Sequence, residues 1–310
     1  MDEAIELIRS KRNVSESSLK SYKQNLSKVL KVMDCEHFNC LDMPDDVNKA
    51  LFESGASPSS IRSYLASICV LRTAQEKPVE EYRKFLLTLT QDQNKKNKEH
   101  VKTEKEEKNW TTMEALQKVV KKYENDLRKD GVFGKKDLNK KEYDLLQRYV
   151  VGMLYVGDPE NHPPIRCDYA PMRVVSRREY EETENKNENY LIVQNRNKKQ
   201  FAFHNYKSVN KHGTKIFDVS KIVNKALNRL LKVHHGVYLL ENKNTGVMTA
   251  NNLSKFLNRV FAPTGKNISV NMLRHIFISE NKTPEVIKKY ENMSEKMLHT
   301  PATQDIYSKQ

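Results

Sequence analysis

Apolar residues recur at helical spacing along most of the chain. Leu19, Tyr22, Leu26, Val29, Leu30 and Met33 form one stripe, and Ser15 or Ser17 is placed to cap its start. Lys20, Lys23, Lys28 and Lys31 fall mostly off that stripe. Pro44, Asp45 and Asp46 open a shorter helix carrying Val47, Leu51 and Phe52, which Gly55 stops. Ser57 and Pro58 begin a third, with Ile61, Tyr64, Leu65, Ile68 and Leu71 apolar and Arg62 and Arg72 as its cations. Pro78 restarts a fourth, with Val79, Tyr82, Phe85, Leu86 and Leu89 apolar. The pattern predicts a four-helix bundle over residues 1–90.

Residues 91–108 break the pattern. Charges alternate there and Val101 is the one aliphatic side chain, so the segment buries too little to order as a core element. It reads as a charged linker. Beyond it, Trp110, Thr111 and Thr112 open a helix through Leu127, and 142–156 form another. Pro163 and Pro164 end that run and put Arg166 in or just after a turn. Residues 189–193, 201–208 and 215–220 read as three strands, the last two joined by VNKHG. Residues 220–233 and 250–261 are amphipathic helices, Ser269 caps a third through Ser279, and Thr283, Pro284 and Glu285 start one more. The fold class is therefore mainly α with a small antiparallel β-sheet: a helical domain over 1–90, the linker over 91–108, and a larger domain over 109–310.

Composition removes several classes. No run of about 18 apolar residues is present to span a bilayer. The opening MDEAIELIRSKRN is acidic before it is basic and lacks an apolar centre, so it does not read as a secretory signal. Cys35, Cys40, Cys69 and Cys167 lack CxxC spacing, which argues against a zinc site or a disulfide scaffold. An intracellular protein is expected, and neither a metal nor a cofactor. The 54 Lys and Arg against 40 Asp and Glu give a net charge of +14. That excess is uneven: 13 of each sign over 1–90, but 35 basic against 22 acidic over 109–310. Such a field recruits polyanions, of which nucleic acid is the commonest.

Four short motifs lie in the basic region: PPIRCDY with Arg166, HNYKSVNKHG with Lys207, NMLRHIFIS with Arg274, and MLHTPATQDIY with His299 and Tyr307. In this order and spacing they resemble the tyrosine recombinase (integrase) family, in which a helix bearing L-R-H-x-x-x-S precedes a G-H-like turn and T-Q-x-x-Y. The NYK…HG stretch is similar to the catalytic-lysine hairpin of integrases from large DNA viruses and eukaryotic mobile elements. The bundle over 1–90 matches the family's core-binding (SAM-like) domain in position and size. The resemblance implies site-specific cleavage and rejoining of DNA through a 3′-phosphotyrosine, without metal ion or ATP. Arg166 and Arg274 would hold the non-bridging oxygens, since Arg stays charged and binds phosphate bidentately. Tyr307 would be the nucleophile, Lys207 the general acid for the 5′ oxygen, and His299 a phosphate or proton-transfer partner.

Two departures stand out. The family commonly has His three residues before its second arginine, and here that position is Asn271, which can donate a hydrogen bond but cannot shuttle a proton. His275 beside Arg274 points elsewhere on the helix and reads as structural. The spacing from His299 to Tyr307 is eight, where many relatives have nine. The implied partner is double-stranded DNA, bound by a monomer that assembles into a homotetramer on paired sites. Lys20, Lys23, Arg62, Arg72 and Lys211 are candidate phosphate contacts. Two alternatives share these residues: a type IB topoisomerase, and a catalytically inactive DNA-binding relative.

Overall fold

The computed structural model describes residues 1–98, 101–184, 186–242, 246–281 and 293–298. The chain divides into two compact units, Met1–Glu99 and His100–Gln310.

The first unit is built from α1 (Asp2–Lys11), α2 (Glu16–Val32), α3 (Pro44–Glu53), α4 (Pro58–Ala74) and α5 (Glu80–Lys98), with a 3-10 turn at Phe38–Asp42. The caps fall where serine and proline put them. Ser15 Oγ accepts from Ser18 N at 3.3 Å, and Ser57 Oγ from Ser60 N at 3.2 Å. Both relieve helix-start amides that have no intrahelical partner. The bundle has five helices rather than four. α1 is held by Ala4, Ile5 and Ile8, buried against α2 and α4, and by acids in its first turn and bases in its last. The core comprises Leu19, Leu26, Val29, Leu51, Ile61, Leu65, Ile68 and Leu71. α5 runs on through residues 91–98, so that part of the expected linker is helical.

The second unit begins with α6 (Glu104–Asn109), α7 (Met113–Lys129) and α8 (Lys140–Val156). Then come β1 (Met172–Ser176), α9 (Arg177–Glu182), β2 (Asn189–Val193), β3 (Lys199–Phe203), α10 (Val209–His212) and β4 (Lys215–Asp218). α11 (Lys221–Leu231), α12 (Ala250–Val260) and α13 (Val270–Asn281) follow. α8 is central and packs against α7, α11 and α12. A Cβ on Gly152 would sit 2.5 Å from Val120 Cγ2, so only glycine lets α7 and α8 approach this closely.

The sheet corrects the expectation of three antiparallel strands. It has four strands in the order β1-β2-β3-β4 and is mixed. β2, β3 and β4 pair antiparallel, whereas β1 lies parallel to β2, with Val174 opposite Leu191. The physical reason is α9: a parallel pair needs a crossover, and this short helix carries the chain back to the starting end. By strand alternation, Leu191, Phe201 and Phe203 face the main core, while Tyr190, Ile192 and Ala202 form a small second cluster with Val175 and Tyr180. The strand expected over 201–208 stops at Phe203, and VNKHG contains α10 rather than a plain connection. The helix start expected at Thr283 lies outside the described residues. Among the described residues, no helix is long and apolar enough to cross a membrane.

Candidate functional site

Arg166 immediately precedes the 3-10 turn Cys167–Tyr169. Its own carbonyl accepts from Tyr155 Oη at 2.9 Å, which ties the turn to the end of α8. Its guanidinium is half-buried, and Nη1 donates to the carbonyl of Leu298 at 3.3 Å. Ser208 Oγ donates to the same carbonyl at 2.8 Å. Ser208 follows Lys207, whose side chain is exposed, in the turn between β3 and α10. Leu298 is buried, with its neighbours Met293 and Met297 also in the core, and has a left-handed backbone with φ 57°.

Arg274 comes from α13. Ser269 Oγ accepts from Met272 N at 3.2 Å at the start of that helix, and Leu273, Ile276 and Phe277 anchor it in the core. Arg274 is itself 0% exposed. Asn271, one turn earlier, is exposed. His275 Nδ1 lies 3.4 Å from a carboxylate oxygen of Glu106.

Asp168 links the two arginines. Burial pushes its carboxyl up to about 6, while the positive charges of Arg166 and, more weakly, Arg274 pull it back down. Both arginines thus lie near enough to Asp168 to act on its charge, although long stretches of chain separate them. Burial raises the phenol of Tyr155 well above its ordinary value, and Arg274 opposes that shift as well.

The remaining candidates divide. Lys211 is exposed on α10, four residues after Lys207. Of the other lysines near the hairpin, Lys198 is exposed, but Lys199 is buried. Its Nζ donates to Asn224 Oδ1 at 2.7 Å, Asn228 Oδ1 at 2.6 Å and the Arg196 carbonyl at 3.0 Å, so it pins β3 to α11. In the first unit, Lys20 is exposed, Arg62 is half-buried and Lys23 pairs with Asp2. Arg72 does not fit a phosphate contact. It is 6% exposed and donates to the carbonyls of Pro78 and Leu41 at 2.7 and 2.8 Å and to Asp42 at 2.6 Å. A buried guanidinium already bonded to two carbonyls and a carboxylate is an internal brace. His299 and Tyr307 lie outside the described residues.

Sequence reasoning missed two buried polar groups here. His162 is held neutral, its pKa pushed down to about 4 by burial, and Nε2 accepts from Ser220 N at 2.8 Å at the start of α11. Asn189 is 1% exposed and bonds to both the Asp168 carbonyl and the backbone at Asn205. Neither carries a motif, and only their non-local partners distinguish them.

No family model matches the chain, and no curated protein matches it. Among solved structures, the chain is similar to one described as the crystal structure of XerA recombinase, with 11% identity over 100% of this chain and 92% of that one, and a TM-score of 0.39.

Proposed function

We propose that this chain is a DNA strand-breaking and -rejoining enzyme of the tyrosine recombinase type. The observation that carries the reading is the convergence at one place: Arg166 and Arg274 both act on Asp168, and Arg166 meets Ser208, the neighbour of Lys207, at the residue preceding His299. The nearness of Arg166, Arg274 and the Lys207 loop supports this reading.

In this reading, Arg166 and Arg274 hold the two non-bridging oxygens of a DNA phosphodiester. Tyr307 Oη gives up its proton to His299 or solvent and attacks phosphorus, so the Oη–P bond forms as the P–O5′ bond breaks. The proton from Lys207 Nζ goes to the departing 5′ oxygen, and the reverse steps reseal a strand. Each preorganised donor aimed at the developing charge is worth roughly 3–4 kcal/mol. Asn271 and His299 add hydrogen bonds to the phosphate. Because Arg274 is wholly buried, phosphate reaches it only after a rearrangement. At Arg166 the phosphate takes the place of the Leu298 carbonyl. The helical unit, through Lys20, Lys23 and Arg62, and Lys211 of the second unit supply backbone contacts. The protein is a monomer in solution that assembles into a homotetramer on paired DNA sites.

The test is covalent trapping on a nicked suicide duplex. Wild-type protein should give an adduct that Tyr307→Phe does not. Binding without adduct in the wild type would instead identify a DNA-binding protein that has lost the chemistry, and relaxation of supercoils by the monomer would identify a topoisomerase.

A further inference from the structure

We infer that Asn189 is the positioning residue that sets Lys207 in register with Arg166. The inference rests on the reading of Lys207 as general acid.

Asn189 opens β2 and is 1% exposed. Its side chain makes four hydrogen bonds. Nδ2 donates to the Asp168 carbonyl at 3.0 Å and to the Asn205 carbonyl at 2.9 Å. Oδ1 accepts from His204 N at 3.1 Å and from Asn205 N at 2.9 Å. Both donors and both acceptor positions of the amide are thus used, which is its full capacity.

The location explains the pattern. β2 and β3 pair up to Tyr190 opposite Ala202, and β3 ends at Phe203. Where the next ladder bonds would fall, the chain turns away, and the Asn189 amide substitutes for a strand by taking the backbone of Asn205 on both sides. The fourth bond crosses to the Asp168 carbonyl. Lys207 lies two residues beyond Asn205, and Arg166 two residues before Asp168. Besides the Leu298 carbonyl that Arg166 and Ser208 share, the hydrogen-bonded route between the two turns runs through this one amide.

The other bonds of the Lys207 loop are internal or reach α9 and the Leu298 carbonyl. Tyr206 Oη donates to the Gly213 carbonyl at 2.7 Å. The His204 ring lies 2.9 Å from Tyr180 Oη through Nε2 and 3.1 Å from Thr214 Oγ1 through Nδ1. These bonds hold the far part of the loop; three of the four Asn189 bonds hold its start at His204 and Asn205, where it leaves β3. The Arg166 turn has its own support from Tyr155 and keeps its place when Asn189 is lost. Removing the amide therefore misplaces the general acid more than the phosphate clamp, and a proton donor moved by about 1 Å from its working geometry loses much of its effect.

The experiment uses full-length protein and two nicked suicide duplexes that differ in the leaving atom: the natural 5′ oxygen, or a bridging 5′ sulfur. A thiolate leaves without a proton, so the sulfur duplex bypasses the general acid. Wild type, Lys207→Ala, Asn189→Ala and the isosteric Asn189→Asp are compared by adduct formation rate, DNA affinity and melting temperature. On the oxygen duplex, both Asn189 variants should slow on the order of 100-fold, at the low end of what acid–base assistance contributes. On the sulfur duplex they should recover to near the wild-type rate, as Lys207→Ala does, with DNA affinity unchanged. Equal slowing on both duplexes, or no slowing on either, overturns the inference. So does loss of folding in both Asn189 variants, since the residue would then serve the fold rather than the loop. Wild-type protein that gives no adduct on either duplex refutes the recombinase reading itself, and a Lys207→Ala protein that sulfur does not rescue refutes the general-acid assignment.

Discussion

Arg166 and Ser208 share one acceptor, the carbonyl of Leu298, at 3.3 and 2.8 Å. A charged oxygen is the stronger partner for a guanidinium, by about twofold over a neutral one. A phosphate at Arg166 therefore displaces this carbonyl. Ser208→Ala removes one of the two bonds that hold it. Adduct formation should be unchanged or up to about 5-fold faster, the equivalent of one ordinary hydrogen bond. Tenfold slowing on a suicide duplex would show instead that Ser208 itself serves the bound DNA.

The two arginines should separate in stability while agreeing in chemistry. Arg166→Ala and Arg274→Ala should each lower adduct formation by at least about 10²-fold, with DNA binding retained by the other cations. Arg274 is fully buried, and Arg166 is half-buried with its side chain bonded to the Leu298 carbonyl. Thermal melting should accordingly fall for Arg274→Ala and barely move for Arg166→Ala. Normal adduct yield in either variant removes that arginine from the clamp.

His162 and Asp168 should pull acid stability in opposite directions. His162 titrates near 6.5 when unfolded and about 4 when folded, so the folded state gains its proton late. Stability is lost as pH falls from about 6.5 to 4, by up to roughly 3 kcal/mol. Asp168 has its folded value raised to about 6 from 3.8, so the folded state takes its proton early and stability rises as pH falls through that interval. Urea unfolding at pH 7 and pH 4.5 reads both. Relative to wild type, His162→Gln should lose less stability on acidification and Asp168→Asn should lose more. Identical pH slopes in all three proteins would refute the assignment.

Arg72 and Lys20 form a matched pair of controls in the helical unit. Arg72→Ala leaves the Leu41 and Pro78 carbonyls short of a buried donor and should cost roughly 2–3 kcal/mol. Lys20→Ala, at an exposed site, should stay within about 0.5 kcal/mol. On DNA the order should reverse: Lys20→Ala lowers the salt dependence of binding by about one phosphate contact, and folded Arg72→Ala does not. Calorimetry with binding titrations at several salt concentrations tests both halves.

Local signals made most helices legible. Ser15, Ser57 and Thr112 announce α2, α4 and α7, and the stripes that follow are the buried faces. α1 escaped because its three buried residues are scattered among charges. β1 escaped because it follows directly on the Arg166 turn, and its parallel partner is fixed only by the α9 crossover. The arginine motifs stand out in the sequence by their order and spacing alone. Arg72 was misread because an arginine near a helix end looks solvated, and its partners Leu41, Asp42 and Pro78 are supplied by the tertiary fold. Asn189 was invisible for the same reason: a single polar residue at a strand start has no pattern.

Leu298 adopts a conformation that suits glycine better, at φ 57°. A left-handed backbone costs a branched side chain about 1–2 kcal/mol. That energy is stored in the same residue whose carbonyl occupies Arg166, so the exchange of carbonyl for phosphate starts partway uphill, and the relaxation of one leucine offsets part of what breaking two hydrogen bonds demands. Residue 298 is thus a dial on readiness: glycine there would quiet the spring and deepen the resting arrangement, and a β-branched residue would tighten it.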